Sequence, residues 1–332
     1  MDEILRVEDL RVQYHERERT VKAVDGVDLA LRRGQTLAIV GESGCGKTTI
    51  ALSILNLVPF PGRIESGRVL FEGRDLLALK GEDIRRVRGN EISMIFQDPV
   101  SGLNPVLSIG AQVEEIVRSH AAVSKRESRE LALEALRRQG LAEPERMMES
   151  YPFQLSGGMC QRVMIAIATI LRPKVIIADE PTSALDVTVQ AAILQELTEL
   201  KDGLGASIIL ITHDLGVVAQ MADEVLVMYA GRIVERGDTA GVYARPRHPY
   251  TWSLMGARPR IDGERQRLPT IRGGPPDLAE LSGECAFLPR CPKAINTCRT
   301  EPWPALDVVD GDHAAACYNP VVHLRDEEEA RA

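Results

Sequence analysis

The 332-residue chain is 44% hydrophobic and 27% charged, an ordinary globular composition with material for about two domains. Its net charge of −8 argues against sequence-independent nucleic-acid binding, which needs clustered basic residues. No apolar run approaches the roughly 18 residues of a membrane span, so the chain is expected in the cytoplasm, meeting a membrane only through a partner.

Residues 1–6 lack a basic region followed by an apolar one, so no secretory signal is expected. Alternating apolar and polar residues over 5–12 and 24–31, then the apolar run 36–40, predict strands. Tyr14, beside a charged turn, is a candidate to stack on an adenine ring. Gly41-Glu42-Ser43-Gly44-Cys45-Gly46-Lys47-Thr48-Thr49 then fits the phosphate-binding pattern G-x-x-x-x-G-K-[ST], and 49–55 has helical spacing. The glycines let backbone N–H groups turn inward on an anion, and the helix N-terminus adds its positive dipole end. Lys47 would reach the β- and γ-phosphates, and the Thr48 hydroxyl would sit on Mg²⁺. Gly41, Ser43, Gly44, Cys45, Gly46 and Thr49 are the remaining candidate nucleotide contacts.

Strands are expected over 67–73 and 92–96. Gln97 follows the second, at the ligand edge of such a sheet, and is a candidate γ-phosphate or Mg²⁺ sensor. Apolar positions three and four apart over 109–119 and 127–139 predict an all-helical insertion. Leu155-Ser156-Gly157-Gly158-Met159 opens a long helix over 160–171, a second anion-binding construction. The apolar strand 174–180 ends in two carboxylates: Asp179 suits an Mg²⁺ shell, and Glu180 can polarise an attacking water. A turn at 183–186, a helix over 188–201 and a buried strand over 207–212 follow. His213 ends that strand, where it can hydrogen-bond a γ-phosphate. Ala230-Gly231 reads as a hairpin between 224–229 and 232–235. Beyond about 236 the composition turns rich in Pro, Gly and Arg, and the tail after about 320 reads as poorly ordered.

Taken in order, the phosphate loop, Gln97, Leu155-Ser156-Gly157-Gly158-Met159, Asp179-Glu180, the 183–186 turn and His213 resemble the ATP-binding-cassette ATPases over roughly residues 4–235. The resemblance implies an α/β P-loop ABC ATPase domain over 1–235. Its parts would be a RecA-like core, an antiparallel β subdomain and a helical subdomain at about 98–150. It further implies that two such domains meet head to tail, with ATP between the phosphate loop of one and Ser156-Gly157-Gly158 of the other. Glu180 would be the general base, His213 a γ-phosphate contact, and Gln97 the link to a membrane subunit. Arg247-His248-Pro249-Tyr250-Thr251 and four late cysteines look like the ATPase subunits of dipeptide and oligopeptide importers. That likeness implies a peptide translocase: two permease subunits, an extracytoplasmic peptide-binding protein and a second homologous ATPase, with a heterodimer favoured. The alternatives are a soluble cassette ATPase of DNA repair or translation, and import of nickel or another small solute. One departure stands out: Cys160 occupies the place where such importers carry a basic residue.

Cys285, Cys291, Cys298 and Cys317 cluster late in the chain, which in a reducing cytosol suggests metal before disulfides. Four thiolates can close around zinc or an iron–sulfur cluster, and these gaps are wider than those of zinc ribbons. The resemblance implies a [4Fe–4S] cluster stapling a small, irregular, Cys-rich C-terminal domain over 236–332. Zinc is the second choice, and His313 a substitute ligand.

Overall fold

The computed structural model describes residues 2–183, 187–257 and 270–323, the side chains of 187–189 and 204 excepted. In chain order it begins with β1 (Glu3–His15), β2 (Thr20–Arg32), β3 (Thr36–Val40), α1 (Lys47–Ile54) and β4 (Gly62–Phe71). Then come β5 (Arg74–Asp75), α2 (Glu82–Val87), β6 (Ile92–Ile95), α3 (Ile109–His120), α4 (Lys125–Arg138) and α5 (Pro144–Glu149). The middle of the chain continues with α6 (Gly157–Thr169), β7 (Val175–Asp179), α7 (Val187–Leu204), β8 (Ser207–Thr212) and α8 (Leu215–Met221). The last elements are β9 (Glu224–Tyr229), β10 (Arg232–Asp238), α9 (Thr239–Ala244), α10 (Pro249–Gly256), α11 (Thr297–Thr300), β11 (Asp307–Asp310) and β12 (His313–Ala315). Two compact units share these segments. One holds residues up to 4, 31–36 and 72–211; the other holds 5–30, 37–71 and the described residues from 212 onward.

In the first unit β6, β7 and β8 run parallel, with Ile92 opposite Val175 and Val175 opposite Ser207. Every residue of these strands is buried, which explains their unbroken apolar runs. Between β6 and β7 the chain turns helical, as the 3.6 period predicts. Ser108 caps α3 by accepting the Ala111 N–H, and Ser124 with Glu127 forms a reciprocal capping box on α4. The helix α5, begun by Pro144, is too short to show a period and was not expected. Ile109, Val113, Leu136, Met148 and Val163 form the core of this helical part, and Cys160 lies among them with no exposure. Its thiol donates to the Pro152 carbonyl at 3.6 Å.

In the second unit β1 lies between β2 and β4, pairing with β4 antiparallel from Leu5–Phe71 to Tyr14–Gly62. The strand β3 pairs parallel with β9, whose hairpin partner is β10. Here the structure departs from the expected separate Cys-rich domain. The three-residue β12 adds to β10, with Ala315 opposite Glu235, and β11 adds to β12, so the C-terminal region continues this sheet. Its aromatic residues also join the core: Tyr250, Phe287 and Trp303 pack with Val40, Val227 and Tyr229. Tyr229, Tyr250 and Phe287 form a triangle of ring centroids 4.6–5.4 Å apart, tilted or edge-on. Each such pair contributes about 0.5–1.5 kcal/mol beyond area burial.

The Arg247-His248-Pro249 motif has a structural explanation. Glu235 on β10 is fully buried, and its carboxylate accepts the backbone N–H groups of Arg247 (2.6 Å) and His248 (2.8 Å) and bonds His313 Nε2 (2.7 Å). Three partners offset the cost of burying that charge. The His248 Nδ1 accepts the Tyr250 N–H at 3.0 Å, and burial pushes its pKa down to about 4. Folded His248 therefore stays neutral where the unfolded chain, with a pKa of about 6.5, takes up a proton. Its stabilising contribution is complete above that value and falls as pH drops toward 4. Thermal melting of the full chain should show Tm decreasing from about pH 7 to pH 5, and His248→Gln should remove much of that slope. An unchanged slope in the variant would assign the pH dependence elsewhere.

Candidate functional site

The phosphate loop lies in the second unit, between fully buried β3 and the start of α1. Two of its glycines are dictated by close packing. A Cβ on Gly41 would stand 2.2 Å from the Met228 carbonyl oxygen, and one on Gly46 would stand 2.1 Å from that of Ala23. The Lys47 ammonium donates to the Gly41 and Glu42 carbonyls at 2.8 and 3.1 Å, which folds the loop about its own lysine. The β9–β10 turn supports the loop from behind, since the Gly231 N–H donates to the Cys45 carbonyl at 3.0 Å. Ala230 and Gly231 both have positive φ, as a two-residue hairpin turn requires. Ser43, Gly44 and Thr48 are exposed, and Thr49 is half-buried. A glycine-rich turn, a lysine and a helix start are the parts of an anion cradle.

Cys45 is buried within the cradle, its thiol 3.9 Å from the Lys47 ammonium, and burial raises its pKa. We expect slow alkylation by a small maleimide, loss of ATP binding once Cys45 is modified, and protection by MgATP. Modified Cys45 with undiminished nucleotide binding, read by mass spectrometry and calorimetry, would contradict the close packing.

In the first unit Asp179 ends β7 with 1% exposure, and Glu180 follows with φ +46. That left-handed backbone is unusual for a residue with a side chain, and strain of this kind gathers at functional sites. The Glu180 N–H donates to the Ile211 carbonyl at 2.8 Å, fixing the turn. Gln97, directly after β6, donates its amide N–H to Glu180 Oε2 at 3.0 Å. Two candidates 83 residues apart are thereby joined. The Ser156 hydroxyl caps α6 by accepting the Met159 N–H at 3.3 Å and keeps its own proton to donate; Ser156 and Gly157 are exposed. Gln161 one turn on is buried and donates to the Pro181 carbonyl at 2.8 Å, tying α6 to the Asp179-Glu180 turn. His213 is exposed directly after β8, and Tyr14 is half-buried with its ring edge against Gly62. Residues 184–186 of the expected turn lie outside the described residues.

A family described as "ABC transporter" matches residues 24–183, and one described as "Oligopeptide/dipeptide transporter, C-terminal region" matches 234–298. Over 321 residues the chain is 46% identical to the oligopeptide transport ATP-binding protein of Salmonella typhimurium, covering 97% of this chain and 95% of that one. The chain belongs to the ABC transporter family. It is also 44% identical over 319 residues to the dipeptide transport ATP-binding protein of Bacillus subtilis, covering 96% and 95%. Among solved structures it resembles a dimeric ATP-binding cassette in a post-hydrolysis state with ADP and Pi. That match has a TM-score of 0.64 and 29% identity over 71% of this chain and 98% of the other. As an ABC ATPase the chain hydrolyses ATP, with Mg²⁺ the expected companion.

Membership does not extend to the metal cluster. Cys285, Cys291, Cys298 and Cys317 are free thiols lining one pocket with Phe287, Leu288 and Pro304. Among the described residues, however, no three His, Cys, Asp or Glu side chains sit as a metal-holding group. The Cys317 sulfur accepts the Asn319 N–H, and His313 is engaged by Glu235. The expected iron–sulfur cluster is therefore set aside, and zinc with it. The four cysteines are half-buried side chains in a region held by sheet pairing and aromatic packing.

Proposed function

We propose that this ABC ATPase is the energy-coupling subunit of an importer of dipeptides or oligopeptides. What carries the reading is one chain that joins a cassette to an oligopeptide/dipeptide-type C-terminal region. No observation of similar weight favours DNA repair, translation or nickel import. Residues 1–235 and 236–332 are the proposed functional division.

The loop 41–49 and the Lys47 ammonium receive the phosphates of ATP, with Tyr14 stacking on adenine. Thr48, Gln97 and Asp179 would hold Mg²⁺, all offering the oxygen donors that a hard cation takes. The Gln97 amide nitrogen is engaged by Glu180, so its carbonyl oxygen is the end left to coordinate. Bound Mg²⁺ supplies neutralisation of phosphate charge. Glu180 takes a proton from water as the water oxygen attacks the γ-phosphorus and the bond to the bridging oxygen breaks. His213 hydrogen-bonds the γ-phosphate.

Ser156-Gly157-Gly158 completes the site of a second, homologous ATPase, a non-identical one being favoured. Two permeases and an extracytoplasmic peptide-binding protein make up the rest. Val106 and Phe153, 76% and 73% exposed beside the helical part, support a docking surface for a permease. Among the described residues no helix is long and apolar enough to cross a membrane, so we place the chain on the cytoplasmic face, held by its permeases. A tagged chain co-expressed with candidate permeases should be recovered from membranes with both of them and a second ATPase. A chain that stays wholly in the soluble fraction beside its permeases would contradict the reading.

A further inference from the structure

The second residue of the phosphate loop, Glu42, is held by the C-terminal region at two points. Its backbone N–H donates to the Tyr250 hydroxyl at 2.9 Å. Its carboxylate accepts paired N–H groups from Arg290, Nη1 to Oε2 at 2.7 Å and Nη2 to Oε1 at 2.9 Å. The partners are 208 and 248 residues away in sequence.

Arg290 lies in the short turn between Cys285 and Cys291, and its side chain is only 7% exposed. Every nitrogen of its guanidinium is used. Nε donates to the Arg272 carbonyl at 2.9 Å, Nη1 also reaches the Tyr229 hydroxyl at 3.2 Å, and Nη2 also reaches the Gly273 carbonyl at 3.5 Å. A planar fork with five donors suits such a task, and a lysine does not.

A carboxylate inside an anion-binding loop is a liability, because it repels the phosphates the loop must hold. The Glu42 carbonyl also accepts from Lys47, so a displaced Glu42 disturbs the lysine that meets the phosphates. We propose that Arg290 is a positioning residue for nucleotide binding: it neutralises Glu42 and fixes its backbone, so that the C-terminal region sets the ATP affinity of the phosphate loop. Arg290 touches the loop residue and not the nucleotide. The proposal rests on the reading of 41–49 as the nucleotide site.

The test is calorimetric binding of the β,γ-imido analogue of ATP with Mg²⁺ to full-length wild type, R290A, R290K and E42Q/R290A at one ionic strength. Wild type should bind. R290A should bind about ten- to a hundredfold more weakly, the range expected when a binding loop shifts by about an ångström. R290K, which keeps the charge and loses the fork, should fall between them. E42Q/R290A should regain about tenfold over R290A, because the exposed charge is gone. A purely structural role for Arg290 gives the same loss whatever stands at position 42. Binding by R290A equal to wild type, or a double variant as weak as R290A, overturns the proposal while leaving the site reading intact. A wild type that does not bind overturns both. Should R290A not fold, R290K against E42Q/R290K runs the same cycle, with the same directions expected.

Discussion

Glu180→Gln should lower ATP hydrolysis about a hundred- to ten-thousand-fold, the usual worth of a general base, while ATP binding persists. The geometry isolates the proton-accepting function. The Gln97 amide donates to Oε2 of Glu180, and a glutamine oxygen can accept the same bond. The Glu180 backbone is set by its positive φ and by the Ile211 carbonyl, neither of which depends on the side-chain charge. The isosteric variant thus keeps the turn, the cradle and the hydrogen bond, and loses only the basic lone pair. ATP-dependent dimers should accumulate, visible by size-exclusion chromatography, alongside a phosphate-release rate near background. Hydrolysis within a fewfold of wild type would remove Glu180 as the base.

Gly46→Ala should weaken nucleotide binding about a hundredfold and destabilise the chain strongly, whereas Gly44→Ala should cost only modest stability and leave binding nearly intact. At Gly46 the added methyl would stand 2.1 Å from the Ala23 carbonyl oxygen and 2.8 Å from the Met228 methyl, on a backbone with φ +105. The Met228 methyl ends a flexible side chain and can shift, but the β2 carbonyl cannot withdraw without moving the sheet, so the loop must move instead. A shift of about an ångström in a positioned binding group costs on the order of a hundredfold. At Gly44 a Cβ meets nothing within 4 Å, and φ is +81, so the penalty is left-handed backbone strain of about 1–2 kcal/mol. Melting and calorimetry on the two variants check the contrast. Normal binding by Gly46→Ala would show that the loop is not packed as described.

The local features were legible because each is a short pattern with its own physical signature. The glycine loop after an apolar strand, the serine-capped α6 and the carboxylates after β7 are contiguous, and the structure places them on the expected elements. Gln97 and Glu180 each stand at a strand end, but nothing in one sequence pairs residues 83 apart, so their hydrogen bond is legible only in the structure. Tyr250 belongs to a recognisable motif, but its contact with Glu42 depends on the path of the chain across 208 residues. Arg290 carried no signal at all among 40 basic residues. Glu235 looked like an ordinary end of a hairpin strand, although its burial decides where Arg247, His248 and His313 sit. The cysteines misled for the opposite reason. Four thiols in one region do converge on one pocket, but convergence at metal-holding geometry is a matter of ångströms that spacing does not encode.

On the proposed function, this chain supplies half of a composite ATPase engine coupled to peptide import. This is tested most directly by phosphate release from the chain alone and from membrane-reconstituted complex, with and without peptide-loaded binding protein. Turnover should be slow for the isolated chain and should rise about tenfold or more in the complex when the loaded binding protein is present. Full-rate hydrolysis by the chain alone, indifferent to permeases and peptide, would contradict it.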